Sequence, residues 1–197
     1  MDVIYKHWFD WLILISLLAG AFYTMRVIGQ EKSSFRDESY IVTFGALKLM
    51  IPQWWSITEQ TDNGLRFERT DTRYDWYAKF QFFANDPRPL TELLEELLNA
   101  QKIEFDEDVA YETDSRVLFR DSHVQKEFQE VIRVEGMASQ DVEERIYYDV
   151  YLARQLNTDN YFLFESKSSV LNGSVEGPYF EESLSELELA SPEENSH

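Results

Sequence analysis

The stretch "DWYAKFQFFANDPRPLTELLEELLNAQ", residues 75–101, predicts a β-strand followed by an amphipathic helix. In its first part, apolar and polar side chains alternate as they do on the two faces of a strand, with Trp76, Ala78, Phe80 and Phe82 on one face and Tyr77, Lys79 and Gln81 on the other. In its second part, leucines recur at helical spacing at positions 90, 93, 94, 97 and 98. One apolar stripe needs one apolar surface, so we expect this helix to pack on a sheet.

The residues before this stretch predict a hairpin preceded by two short strands. "WSITEQTDNGLRFERT", residues 55–70, indicates a hairpin, because Asn63-Gly64 suits a tight turn with positive φ and Ile57, Leu65 and Phe67 supply alternating apolar positions. "YIVTFGALKLMIPQWW", residues 40–55, predicts two short strands, with Gly45-Ala46 between them and Pro52 ending the second.

The residues after it predict further strands and a closing helix. Alternation is weak in 110–119, clear in 123–136 and clear in 142–156, with "MASQD" (137–141) joining the last two as a hairpin. Residues 157–160 then turn the chain into "YFLFESKSS" (161–169). Gly173 and the Gly177-Pro178 pair are expected to close a loop and start a final helix, because proline is favoured at the first helical position.

The N-terminal segment predicts a transmembrane helix. No charge occurs from Trp11 to Met25, and a helix of this length with its apolar neighbours reaches about 30 Å, the thickness of a bilayer core. Asp10 and Arg26 bracket the apolar stretch. The expected membrane-interface anchors are Trp8 and Trp11 at one end and Phe22, Tyr23 and Arg26 at the other. The alternative is a cleaved signal peptide, since Ala19-Gly20-Ala21 fits an A-x-A cleavage site and would remove residues 1–21.

Ser16, Gly20 and Thr24 recur every four residues and therefore lie along one face of that helix. Small residues at this spacing let another membrane helix approach closely, so we predict that this face packs against a partner helix. The alternative is that such residues are ordinary in membrane helices. Orientation stays open, because the basic residues after the span favour a cytoplasmic domain, whereas a signal anchor more commonly has a cytoplasmic N-terminus.

Composition excludes several classes of function. The formal charge of −19 repels phosphate backbones, so nucleic-acid binding is not expected, while a basic protein surface is a possible partner. The absence of cysteine removes disulfides and thiolate chemistry. His123 is the sole candidate base in the domain, and its neighbours Asp121 and Ser122 cannot form a triad with it on an extended chain. The acidic run 104–114 lacks the EF-hand spacing and is more typical of a solvated loop.

The chain resembles the PsbP-like family over roughly residues 40–189. The likeness rests on "LKLMIPQWW" (47–55), on the aromatic strand that leads into the leucine-rich helix, and on "GPYFEESLSEL" (177–187). Ile51-Pro52 followed by Trp54 or Trp55 resembles that family's Pro-Gly-Trp corner, with Gln53 where glycine is usual. The resemblance implies an antiparallel sheet sandwiched by helices and a scaffold for docking, and it implies no activity.

These observations predict an α+β fold in which an antiparallel β-sheet is flanked by helices and preceded by one N-terminal transmembrane helix. The expected divisions are an anchor at 1–29, a linker at 30–39, the PsbP-like domain at 40–189 and a polar tail at 190–197. We expect a non-catalytic accessory subunit of a larger integral membrane protein complex, without cofactor or metal, with its domain on the extracytoplasmic (periplasmic) side. The alternative is a membrane-tethered module that binds a small ligand or divalent cation at Trp54, Trp55, Trp76 or Tyr77.

Overall fold

The computed structural model describes residues 8–69, 75–141 and 143–189, with the side chains of 27–34 left out. These residues fall into two compact units, the first ending at Ser39 and the second starting at Tyr40. The predicted polar tail at 190–197 and the first seven residues of the predicted anchor lie outside the described residues.

The first unit is one helix, α1 (Trp8–Asp37). The helix continues through residues 30–37 of the predicted linker, so that part of it is helical. No glycine or proline occurs between Gln30 and Asp37, and Gln, Glu, Lys and Arg are good helix formers, so nothing in this polar segment ends the helix.

The second unit contains two sheets. The smaller sheet has the order β1-β2-β11, formed by β1 (Ser39–Phe44), β2 (Leu47–Pro52) and β11 (Glu188–Leu189). The larger sheet has the order β3-β4-β5-β10-β9-β8-β6, and β7 also pairs with β8. Its strands are β3 (Ser56–Thr61), β4 (Gly64–Glu68), β5 (Trp76–Phe83), β6 (Ile103–Phe105), β7 (Ala110–Glu112), β8 (Phe128–Gln140), β9 (Glu144–Gln155) and β10 (Tyr161–Ser169). Its pairings are antiparallel.

Helices cover both faces of the larger sheet. On one face, α2 (Leu90–Gln101) buries Leu90, Leu93 and Leu94 against β8, β9 and β10. On the other face, α5 (Val170–Ser185) packs with β2 and with two short helices, α3 (Ser115–Leu118) and α4 (Ser122–Glu127). The strand β9 is therefore buried on both sides. The predicted α+β architecture, a flanked antiparallel sheet preceded by an apolar helix, is confirmed.

The strand-and-helix pattern of residues 75–101 is confirmed, since Trp76, Ala78 and Phe80 are buried on one face of β5. The hairpin at 55–70 is also present, but its two loop residues are Asp62 and Asn63, and Gly64 already pairs with Thr61 as the first residue of β4. Neither Asn63 nor Gly64 has positive φ. Ile57 is exposed, because β3 lies at the edge of the sheet.

Three predictions about the second half of the domain are wrong. Residues 115–118 and 122–127 form helices where strands were expected, because Asp114 and Asp121 cap backbone N–H groups and start a helical turn in each case. The strand β8 runs on to Gln140, so the turn is centred at Asp141 and "MASQD" is not a loop. The last helix starts at Val170, which places Gly173 and Gly177 inside it and leaves Pro178 in its interior.

Candidate functional site

The apolar part of α1 is long enough to cross a bilayer. Trp8–Arg26 comprises 19 residues with a mean hydropathy of 1.5, and no part of it is buried within the chain. At 1.5 Å per residue this segment reaches about 29 Å, close to the thickness of a hydrocarbon core. Its apolar side chains point outward on every side; Trp8, Trp11, Phe22 and Tyr23 are each more than half exposed. A helix that is apolar all round requires an apolar environment, which water does not provide.

The predicted packing face of α1 is exposed. Ser16, Gly20 and Thr24 are exposed, and a Cβ added at Gly20 would meet nothing within 4 Å. The Thr24 hydroxyl donates to the Gly20 carbonyl at 2.9 Å, so its hydrogen bond is made inside the helix. Nothing in the described chain therefore requires the small residue at position 20. The anchor role of Arg26 stays a prediction.

Trp54 and Trp55 form a corner of the chain just after the end of β2. The backbone N–H of Trp55 donates to the backbone carbonyl of Pro52 at 3.1 Å and closes a turn over Gln53 and Trp54. Gln53 does not have positive φ, so glycine is not required at this corner. Trp55 is 1% exposed and Trp54 is half-buried, with its ring 5.0 Å from that of Tyr179 in an edge-to-face arrangement.

A buried carboxylate explains why two indoles meet at this corner. Glu176 of α5 is fully buried, and its Oε2 accepts the Trp55 Nε1–H at 2.9 Å and the Trp54 Nε1–H at 3.4 Å. Its Oε1 pairs with the Arg69 guanidinium. The cluster thus ties β2, the end of β4 and α5 together. Buried charges persist where they are paired and hydrogen-bonded, and these contacts meet both requirements.

Trp76 and Tyr77 lie on opposite faces of β5. Trp76 is buried against Trp55, with ring centroids 4.3 Å apart, and its Nε1–H donates to the Ser166 hydroxyl at 3.1 Å. Tyr77 lies on the other face, half-buried, with the Arg66 guanidinium 4.2 Å above its ring. Burial, followed by the nearby Glu165 carboxylate, raises the pKa of Tyr77. The structure does not bring the four predicted aromatics together in one cleft.

Glu165 beneath α2 is a further buried acid. It is 2% exposed, and its Oε2 accepts the Tyr148 hydroxyl at 2.5 Å and the Gln101 amide at 2.9 Å. This contact fixes the C-terminal end of α2 to the sheet. Sequence reasoning missed Glu165 and Glu176. Their signal is an acid inside an otherwise apolar pattern, "YFLFES" in β10 and "SVEGPYF" in α5.

The other candidate residues have structural roles or are exposed. Asp121 accepts backbone N–H groups from His123 at 2.6 Å and Val124 at 3.3 Å, so it caps α4, and His123 is exposed. In the acidic run, Asp106 pairs with Arg145 at 2.5 Å and Asp114 with Arg116 at 2.7 Å. Within the described residues no group of three or more His, Asp or Glu side chains could hold a metal ion.

Comparison with known proteins gives likenesses of fold. No family model matches the sequence, and no curated protein matches it. PsbP (CyanoP) from Synechocystis sp. PCC 6803 is 12% identical, with a TM-score of 0.48 over 77% of this chain and 91% of that one. The Ran-binding protein Mog1p of Saccharomyces cerevisiae is 10% identical, with a TM-score of 0.44 over 72% of this chain and 83% of that one.

A structure from Bacteroides thetaiotaomicron VPI-5482 is 11% identical, with a TM-score of 0.44 over 79% of this chain. The chain spans about half the length of that protein, since the match covers 49% of it. PsbP is thus among the structures that this chain resembles, as its sequence predicted, and the likeness concerns the fold alone.

Proposed function

We propose that the protein is a non-catalytic, membrane-anchored accessory subunit that stabilises a larger integral membrane protein complex. The observation that carries this proposal is the segment Trp8–Arg26, which is apolar on every side and has no part buried within the chain. A bilayer accommodates such a helix, and a partner's membrane helix can pack against its small-residue face.

The row of small residues supports packing against another helix. In a bilayer, helices associate through close packing, because lipid tails are as apolar as the side chains they would replace. The row of Ser16, Gly20 and Thr24 offers a shallow groove in which a second backbone can approach. Since the Thr24 hydroxyl is bonded within its own helix, it can meet an apolar partner without being left unpaired.

The charge of the chain supports a basic protein surface as the second contact. The formal charge of −19 leaves many carboxylates without a basic counterpart, and such a surface attracts a positively charged partner and repels nucleic acid. In this proposal the helix supplies membrane attachment and the domain supplies charge complementarity. We place the domain on the extracytoplasmic side, and proteolysis of sealed vesicles of known orientation tests this placement separately.

The experiment compares three forms of the full chain in its native membrane: wild type, Gly20→Leu and Ala19→Leu. Position 19 lies about 100° around the helix from Gly20 and about 60° from Ser16, so Ala19→Leu adds the same bulk at the edge of the row and not at its centre. After gentle solubilisation, we expect wild type and Ala19→Leu to migrate with a larger complex on a native gel and Gly20→Leu to migrate alone.

Two results would contradict the proposal. A wild-type chain that is monomeric after gentle solubilisation has no stable complex to support. An intact mass that lacks residues 1–21 shows a removed signal peptide and excludes the helix as a contact. Retention of Gly20→Leu in the complex is evidence against the packing face and leaves the domain as the point of attachment.

A further inference from the structure

One guanidinium meets three carboxylates between the larger sheet and α5. Arg133 of β8 makes two hydrogen bonds to Asp149 of β9, Nε to Oδ1 at 3.1 Å and Nη2 to Oδ2 at 3.0 Å. The same Nη2 lies 2.5 Å from Glu135 Oε2, and Nη1 lies 3.6 Å from Glu181 Oε1 of α5. With every group ionised, this cluster carries two more negative charges than positive ones.

Burial makes that excess charge costly. Asp149 is fully buried and the side chain of Arg133 is only 12% exposed, whereas the side chains of Glu135 and Glu181 are 25% and 57% exposed, so water partly screens their repulsion of Asp149. In a poorly hydrated site, like charges repel more strongly than they do at the surface, and a carboxylate takes up a proton more readily. Burial raises the pKa of Asp149 to about 7; the Arg133 guanidinium opposes this shift, and the Glu135 and Glu181 carboxylates add to it.

Among the residues that the structure describes, the elements packed around Asp149 supply no second counter-charge. Strand β9 contributes Tyr147, whose hydroxyl donates to Glu135, and Tyr151, whose ring lies 4.9 Å from the Arg133 guanidinium. Strand β10 places the uncharged Ser166 opposite Asp149. Strand β7 places Glu112 opposite Arg133, and this carboxylate accepts the backbone N–H groups of residues 113 and 114.

We propose that Asp149, Arg133 and Glu181 form a proton-sensitive latch that holds α5 against the sheet more firmly at acidic than at alkaline pH. Protonation of Asp149 removes its repulsion of Glu181 and leaves the charge of Arg133 to be shared between Glu135 and Glu181. Because Glu181 is the member of the cluster that α5 contributes, the stronger Arg133–Glu181 attraction acts on that helix. Ionisation of Asp149 reverses both effects.

The direction of the pH dependence follows from the raised pKa. A carboxyl with a pKa of about 7 in the folded state and about 4 in the unfolded state stabilises the fold below pH 4, and this contribution is lost as the pH rises through 7. The exposed ion pairs contribute to stability over a different range of pH. Arg116 lowers the pKa of Asp114 to about 2 and Arg145 lowers the pKa of Asp106, so their contributions are present above the ordinary carboxyl pKa and are lost as the pH falls below it.

The test measures the thermal unfolding of the full chain in detergent between pH 5 and pH 8.5, together with hydrogen exchange of residues 170–185 relative to α2. In the wild type we expect the protection of α5, corrected for intrinsic exchange, to fall about tenfold across this range. Asp149→Asn should remove the dependence and Glu181→Gln should weaken it. Asp106→Asn, which alters an exposed pair of the same kind, should retain it.

Direct titration keeps the proposal testable where Asp149→Asn does not fold. Carbon-13 NMR of the Asp149 carboxyl in the wild-type chain should show a midpoint near pH 7. A midpoint below pH 4, or wild-type α5 protection that does not change between pH 5 and pH 8.5, would overturn the latch. A pH dependence that Glu181→Gln leaves unchanged would show that Asp149 titrates without acting on α5, which also contradicts the proposal.

Discussion

Replacing Gly173 by alanine should destabilise the domain, although alanine is the better helix former. Gly173 lies inside α5, and a Cβ added there would come within 2.4 Å of both Cβ and Cγ of Tyr147. Non-bonded carbon atoms do not approach this closely, so the helix or the strand must move. Because these Tyr147 atoms adjoin the backbone of β9, the ring cannot swing aside to make room.

The magnitude follows from two opposing effects. Overpacking a well-packed core costs about 1–3 kcal/mol, and contacts of 2.4 Å to atoms next to the backbone place this case in the upper part of that range, about 2–3 kcal/mol. Exchanging glycine for alanine inside a helix contributes about 1 kcal/mol of stabilisation. We therefore expect Gly173→Ala to lower the free energy of unfolding by about 1–2 kcal/mol, measured by urea denaturation of the full chain in mild detergent and followed by tryptophan fluorescence.

Gly177→Ala is the matched control in the same helix. A Cβ at this position would lie 3.6 Å from Tyr147 Cε1, an ordinary contact, while its place before Pro178 offsets part of the helix-propensity gain. We expect a change of less than about 1 kcal/mol in either direction. If Gly173→Ala were as stable as the wild type, or more stable, the reasoning would be refuted.

The other predictions concern capping and buried charge, and denaturation of the full chain measures each. Glu176→Ala should cost about 3–5 kcal/mol, because it removes a buried carboxylate that pairs with Arg69 and accepts the indole N–H groups of Trp54 and Trp55, and a loss under about 1 kcal/mol would contradict this role. Asp121→Ala should cost about 1 kcal/mol through loss of the helix cap. His123→Ala should stay within about 0.5 kcal/mol of the wild type, since the side chain is exposed, and a larger loss would show a missed contact.

Local pattern was sufficient to predict the elements that bury a single face. The alternation in β5 and the leucine spacing in α2 follow directly from the need to cover one apolar surface, and both were predicted correctly. The hairpin was found from its apolar positions, whereas its turn residues were not, since Asn63-Gly64 is also compatible with a strand that begins at the glycine.

Tertiary contact decided the elements that were predicted wrongly. Gly173 and Gly177-Pro178 resemble a loop in isolation, yet the chain is helical there, and Gly173 lets α5 approach Tyr147. The helix α4 was missed because Val124 and Phe128 fit an alternating pattern, while the cap at Asp121 decides the local conformation. The buried pairs of Glu176 and Asp149 connect residues far apart in the chain, so no local pattern reveals their partners.

The pairing of β5 with β10 has a consequence for synthesis of the protein. Phe83 lies opposite Tyr161, so β5 waits for about 80 further residues before its neighbour exists, a delay of roughly 4–16 s at ribosomal rates of 5–20 residues per second. During this time the edge of β5 that pairs with β10 has no neighbouring strand. The apolar N-terminal segment has already left the ribosome. We expect nascent chains halted before residue 161 to be held by chaperones and full-length chains to be released.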